Sequence, residues 1–299
     1  MTSDWSITSG PGITALGLAA ARSVESARSD RLIEDPFART LFCSAGSGLA
    51  MLVEWPSPDR PLSDTEKLHL HGSRYIGLRT RVYDDILLAA SGAGLRQAVL
   101  LGAGLDTRAF RLELPGDLQL YELDQAGVLS YKDKMFSRNG ARPRCARAAI
   151  ASDLRDDLAG ALRARGFDAK RPTMWIAEGV LPYLAPGEQA HLLRQVHELA
   201  AVGSELAFDT IVGDPVGDGR LRTLSQRAGI DMEALMARGE APPLASLLSQ
   251  WGWNVEEQTT AELARRYSRD LSDPFSRTAG DDEAEPPWLN TTFTCAARR

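Results

Sequence analysis

The residues Gly102-Ala103-Gly104-Leu105-Asp106-Thr107 close the apolar run 98–101 with a tight two-glycine turn. A dinucleotide-binding loop needs a third glycine three residues after the second, so that a helix N-terminus can approach a pyrophosphate. Thr107 takes that place, and Asp106 puts an acid where a phosphate would lie. The pattern argues against nicotinamide and flavin dinucleotides and for a ligand that carries a cationic group. About 20 residues further on, a second apolar run ends in Glu122-Leu123-Asp124, where a carboxylate can accept two hydrogen bonds from a ribose diol. By the two-residue period of a strand, Glu122 and Asp124 share a face. A third run ends at Asp153-Leu154, an acceptor and a backbone N–H suited to an adenine edge, although Asp153 equally fits the N-cap of a helix beginning at "LRDDLAGAL". A fourth, "TMWIA", leaves Glu178 at its carboxyl end, where open α/β sheets bind ligands; a salt-bridged structural acid is the alternative. Upstream, Arg79 and Arg81 are two residues apart in "GLRTRVYDD" and point to different sides of a helix, which leaves one available for an anion. Two glycines, a ribose-type acid, an adenine-type acid and an arginine suit a molecule with adenosine at one end and an amino acid at the other. That molecule is S-adenosylmethionine.

These residues need a scaffold, and the chain around them supplies its pattern. Apolar runs of strand length alternate with amphipathic stretches such as "APGEQAHLLRQVHELAAVG", which starts with Pro-Gly and closes on glycine. That alternation predicts parallel βαβ units and a Rossmann-like core. At the end of the chain "WNVEEQTT" and "LNTTFTCAA" predict two strands at an antiparallel edge, separated by the short helix "AELARRYS" and a polar Asp-Glu-Pro loop. Ahead of residue 97, "ITALGLAAARSVESARS", "DPFARTLF" and "RYIGLRTRVYDDILLAAS" predict helices that cover one edge of the core. The stretch from Gly213 to Pro243 is irregular, as lids and substrate walls often are. We expect a single domain over 1–299: a helical cover over 1–96, a cofactor-binding core over 97–211, a lid or substrate insertion over 212–250 and antiparallel strands over 251–299.

Composition narrows the function. The 299 residues carry a formal net charge of −6, the wrong sign for a nucleic-acid partner. No apolar stretch nears the roughly 20 residues of a membrane span and the N-terminus lacks a secretory pattern, so a cytoplasmic location is expected. Cys43, Cys145 and Cys295 are too few and too scattered for a disulfide framework or a clustered metal site. His69 and His71 form a His-x-His pair with no further ligand nearby, and no metal is expected.

The strings "TALGLAAARSVES", "DPFA", "LRTRVYDD", "VLLGAGLDTRAFRL", "YELDQAGVLSYKDK", "SDLRDDLAGALRARGFD" and "RPTMWIAEGVLPYL" resemble, in this order, the bacterial branch of the leucine carboxyl methyltransferase family. The resemblance implies a class I S-adenosylmethionine-dependent O-methyltransferase: an α/β, Rossmann-like seven-stranded sheet with its last strand antiparallel, an N-terminal helical region and substrate-side insertions. It places Gly102 at the methionine end of the cofactor, Asp124 at the ribose, Asp153 and Leu154 at the adenine, and Glu178 near the methionine moiety; Gly104 and Asp106 in the same turn, and Glu122 and Leu123 beside Asp124, are cofactor candidates from their positions alone. The family's carboxylate-binding arginine maps to Arg79, with Arg81 as the other register. A second basic contact has Arg22, Arg28 and Arg31 as candidates. The acceptor implied is a small-molecule carboxylate, of the secondary-metabolite or polyketide kind. Being ionised already, it needs desolvation and a positively polarised cradle rather than a base. A phenol or alcohol acceptor would need a base, for which His69 and His71 are the candidates. Tyr75, Tyr83 and Tyr183 are candidate pocket walls. A non-catalytic S-adenosylmethionine-binding scaffold or sensor is the reading from another class.

Overall fold

Four apolar runs bounded by glycine or an acid become the first four strands of one sheet. A computed structural model describes residues 7–57, 59–214, 216, 217, 222, 225, 230–240, 242–272 and 287–299. The strands are β1 (Gln97–Leu101), β2 (Gln119–Asp124), β3 (Ala146–Ala151), β4 (Met174–Ala177), β5 (Glu205–Ile211), β6 (Trp253–Thr259) and β7 (Thr291–Arg298). Their order is β3-β2-β1-β4-β5-β7-β6. β1 to β5 pair in parallel, and β7 enters between β5 and β6 antiparallel to both. The seven-stranded sheet with an antiparallel last strand is thus present: β6 runs the same way as β5, and β7 alone is reversed.

β1 and β4 are buried along their whole length, as strands covered on both faces must be. Ala98 and Leu100 turn to a layer holding Leu16, Leu78, Phe110 and Phe136, while Val99 and Leu101 turn to one holding Trp175, Leu192, Val196 and Leu248. The first layer is built from α1 (Pro11–Ser26), α2 (Ala38–Cys43), α3 (Asp64–Gly92), α4 (Arg108–Arg111) and α5 (Ala126–Arg138). The second is built from α6 (Leu158–Arg163), α7 (Pro186–Leu199) and α9 (Leu244–Gln250). Two short helices complete the set: α8 (Met232–Leu235), and α10 (Thr260–Arg266), whose Leu263 packs into the first layer. No helix among the described residues is long and apolar enough to cross a membrane.

Two helices position the site. α1 starts on Pro11, whose missing N–H a helix start does not need. α3 starts with a capping box: the Glu66 amide donates to Ser63 Oγ at 3.3 Å and the Ser63 amide to Glu66 Oε2 at 3.0 Å. It then runs unbroken for 29 residues, so His69 and His71 lie inside the arginine helix and not ahead of it. Of the insertion expected at 212–250, residues 215, 218–221, 223, 224, 226–229 and 241 lie outside the described residues, as do residues 273–286, where the polar loop is expected.

Candidate functional site

The loops that leave the carboxyl ends of β1 to β4 converge with α1 and α3 on a cavity of about 210 Å³. Gly102, Gly104 and Asp106 line it after β1, and Asp124 at the end of β2. Asp153 and Leu154 follow β3, Glu178 follows β4, and Arg79 reaches in from α3. Gly102 has φ 69°, and a Cβ there would lie 2.5 Å from Val180 Cγ2, so this loop can press against the β4 loop only with glycine. The Gly104 and Gln125 amides donate to the two oxygens of Asp124, each at 2.6 Å. Burial pushes the Asp124 carboxyl above its ordinary pKa, and those two amides work against the shift.

Asp153 has a different local role from the helix cap its sequence allowed. α6 begins at Leu158 with Asp157 as its N-cap residue, while Asp153 Oδ1 accepts from the Arg155 amide at 3.0 Å and from Arg155 Nε at 2.8 Å. It folds the loop locally, as Asx turns do, and the Arg155 guanidinium holds its carboxyl below the ordinary range.

Charge is dense at the opposite end of the cavity. Glu178 accepts from Arg79 Nε at 3.0 Å and lies 2.7 Å from Arg108 Nη1. Arg108 also donates to Asp84 at 2.7 Å, and Arg111 to Asp84 at 2.6 Å. Burial pushes the Glu178 carboxyl up, but Arg108 and Arg79 outweigh it and hold its pKa below the ordinary value. Asp106 is not the free acid its sequence position suggests: it accepts from the Arg108 amide at 2.7 Å and pairs with the same residue's guanidinium. Its repulsion of a phosphate is correspondingly blunted, and the argument against a dinucleotide rests on Thr107. Of the three candidates for a second cation, Arg22 alone lines the cavity, oriented by Asp35 at 2.9 Å and the Leu105 carbonyl at 2.8 Å. Arg28 stacks over Trp55 and Arg31 is half exposed near Glu34.

Three expected cofactor residues lie elsewhere. Arg81 is on another side of α3, paired with Asp85 at 2.9 Å. Glu122 is fully buried, 2.6 Å from Lys132 Nζ and 2.7 Å from Arg147 Nη2. It does share a strand face with Asp124, but two residues of strand rise, about 7 Å, put it under α5 and away from the cavity. Leu123 is core, its carbonyl accepting from the Ala103 amide at 2.9 Å.

A second cavity, also about 210 Å³, lies between α1 and α3. It is lined chiefly by apolar side chains, Leu68 and Ile76 of α3, Met51, Met232 and Met236 among them. Thr14, Leu18, Arg79, Gly179 and Tyr183 line both cavities, so the two share a wall. At that wall Tyr183 Oη donates to Thr14 Oγ1 at 3.0 Å. Tyr75 and His69 also face the second cavity. Tyr83 does not: it is buried and donates to Asp209 Oδ1 at 2.7 Å. His71 does not either, its Nε2 lying 2.9 Å from the Leu271 carbonyl. Sequence reasoning passed over Thr14 and Asp209; each is a lone polar residue in an apolar segment, a signal available but ambiguous.

A family model described as leucine carboxyl methyltransferase matches residues 15–197. The chain belongs to that family. It is similar to an inferred S-adenosyl-L-methionine-dependent methyltransferase of Saccharopolyspora erythraea, 42% identical over 275 residues, with 90% of this chain and 92% of that one covered. One from Streptomyces coelicolor is 41% identical over 270 residues, with 88% of each chain covered. Among solved structures, a methyltransferase from Thermobifida fusca shares the fold at TM-score 0.50 and 17% identity, over 93% of this chain and 94% of that one. A DUF574 family protein from Streptomyces avermitilis does so at TM-score 0.51 and 15% identity, over 92% and 99%. This leucine carboxyl methyltransferase family member is an S-adenosylmethionine-dependent methyltransferase.

Proposed function

We propose that the enzyme transfers the methyl group to an oxygen of a small, largely apolar molecule, and that this oxygen belongs to a carboxylate of the secondary-metabolite or polyketide kind. One observation carries the reading: a polar cavity at the strand ends and an apolar cavity between α1 and α3 share a wall. The residues of the polar cavity fit the donor by their chemistry: the Asp124 and Asp153 carboxylates after β2 and β3 and the Arg22 and Arg79 guanidinium groups line one cavity. Asp124 would hold the ribose diol, Asp153 and Leu154 the adenine edge, and Arg79 with Arg22 the donor's carboxylate. S-adenosylmethionine, when bound, supplies a methyl group on a sulfonium that an aligned nucleophile displaces in line. Glu178 fixes Arg79, and the apolar second cavity excludes water from the approaching oxygen.

The groups at the shared wall favour a carboxylate. No base is needed for a carboxylate, and at that wall Asp209 Oδ1 is already engaged by the Tyr83 hydroxyl and the Gly179 amide. A phenol or alcohol would need a proton acceptor at the same place. His71 is outside the cavity, and His69 precedes Arg79 by ten residues of continuous helix, about 15 Å at 1.5 Å per residue.

The test is to incubate the enzyme with methyl-labelled S-adenosylmethionine and a panel of aliphatic acids, aromatic acids and phenols. We expect a labelled product that releases its label as methanol in mild alkali, as methyl esters do. An alkali-stable ether would reassign the acceptor to a hydroxyl. Donor binding without transfer to any panel member would make the protein a scaffold.

A further inference from the structure

We infer that His69 recognises the far end of the acceptor: the second cavity takes an elongated apolar molecule bearing an uncharged hydrogen-bonding group, a hydroxyl or carbonyl, remote from the oxygen that is methylated. This rests on the proposed function, since it takes the methylated end to lie at the shared wall.

Geometry sets the distance. His69, Gly72, Tyr75, Ile76 and Arg79 all line the cavity from one face of α3, the spacing of residues stacked along a helix. Arg79 belongs to the wall shared with the donor cavity and His69 does not. Ten residues of α3 separate them, about 15 Å, so an acceptor touching both ends is extended.

Chemistry sets the group. Both ring nitrogens of His69 are buried and have no hydrogen-bond partner among the described residues. Buried polar atoms are nearly always paired, so open ring nitrogens on a cavity call for a partner that enters it, and a polar atom of the acceptor can be that partner. The other ionisable groups of this cavity, Tyr75, Arg79, Tyr183 and Asp209, are tied to its other end. Arg79 and Tyr183 belong to the shared wall, Asp209 accepts from the Gly179 amide of that wall, and Arg79 lies 5.9 Å from the Tyr75 ring centroid. Desolvation keeps the His69 imidazole neutral, with its pKa lowered to about 4. A neutral imidazole offers one donor and one acceptor, which matches a hydroxyl, whereas a carboxylate brought here would be desolvated with no cation to meet it. Met51, Met232 and Met236, three of the chain's six methionines, line the same cavity and can adapt to a flexible chain between the two ends.

The test is calorimetric and does not need turnover. The full chain, saturated with S-adenosylhomocysteine, is titrated at neutral pH with decanoic acid, ω-hydroxydecanoic acid and decanedioic acid. We expect the hydroxy acid to bind about tenfold more tightly than the plain acid, the gain of one buried neutral hydrogen bond, and more tightly than the diacid. His69→Phe should reduce the hydroxy-to-plain ratio to near one, and His69→Gln, which keeps a donor and an acceptor, should retain part of it. His69→Leu is the second deletion variant if the phenylalanine is not accommodated. A wild-type ratio near one, an unchanged ratio in the deletion variants, tightest binding of the diacid or no binding of any probe overturns the inference. Failure of the donor reading shows separately, as loss of S-adenosylhomocysteine binding while the acid ratio can still be read.

Discussion

Asp124 and Glu122 show how little separates a ligand acid from a core counter-ion. Both stand on one face of β2, yet Glu122 meets Lys132 and Arg147 in full burial while Asp124, at the strand's end, opens on the cavity. Burial raises the Asp124 carboxyl, and its ionised form is the one with lone pairs for a diol. Asp124→Ala should therefore weaken S-adenosylmethionine binding by at least about a hundredfold, two hydrogen bonds to a charged acceptor at about 1.5–3 kcal/mol each. In calorimetry, wild-type affinity in that variant would show the ribose assignment to be wrong. The sign of the pH dependence follows: a pKa raised in the free protein means that protonation on acidification competes with the diol, so wild-type affinity falls as pH drops through that raised value. It should begin to fall at a higher pH than an ordinary aspartate would dictate. The alanine variant should show no such dependence. Which acid faces a ligand was legible in the sequence only as an order along the strand. The pairing of Glu122 with two cations from α5 and β3, and of Asp106 with Arg108, needed the third dimension.

At the scale of elements, the β1 loop and the β4 loop are locked together at Gly102. A side chain there meets two separate penalties: a left-handed backbone that costs an ordinary residue about 1–2 kcal/mol, and a Cβ 2.5 Å from Val180 Cγ2 that overpacks the contact by about 1–3 kcal/mol. Gly102→Ala should lower stability by the sum, measured by urea unfolding, and weaken donor binding. Adding Val180→Ala should recover the overpacking part and leave the backbone part. Full recovery would mean that φ at this position carries no strain. Strands were the legible elements: the four apolar runs closed by glycine or an acid became β1 to β4, and the two stretches near the end of the chain became β6 and β7. α3 was harder to delimit. Its buried face carries Arg74, Arg79, Thr80 and Asp84, and charged residues buried in pairs break the apolar period from which a helix is read. The "KLHLHGS" stretch therefore looked like a lead-in when it is the helix's first turns. The antiparallel last strand came from the family resemblance, whereas the place of β7 between β5 and β6 was not legible, as no local pattern says which neighbour a strand chooses.

For the molecule as a whole, the two cavities exist because α1 and α3 are held at a fixed separation, and a buried charge cluster does the holding. Arg269, just past α10, donates to Glu25 Oε1 of α1 at 2.5 Å and to the Asp30 carbonyl at 3.0 Å. The next residues reach α3: His71 Nε2 lies 2.9 Å from the Leu271 carbonyl, and Arg74 donates to the Ser272 carbonyl at 3.1 Å. Glu25 in turn packs so closely on α3 that a Cβ at Gly77 would lie 2.5 Å from its Cδ, which fixes how near the helices cross. Burial pushes the Glu25 carboxyl up and the Arg269 guanidinium down, disfavouring both charges, so each depends on its partners: Glu25 on the Leu32 amide, Arg269 and Arg28, and Arg269 on Glu25 and Asp30. Arg269→Ala should then destabilise by less than the roughly 3–5 kcal/mol of a buried charge left alone, because Arg28 at 3.5 Å and the Leu32 amide at 2.7 Å remain on Glu25. The pair Glu25→Gln with Arg269→Met removes both charges and should lose less than the two single changes added together, by about 1–3 kcal/mol. Urea unfolding of the four proteins measures this, provided the denaturant slope is constant across them. Strict additivity would mean that Glu25 and Arg269 are not coupled, and that the separation of α1 and α3 is set by apolar packing alone.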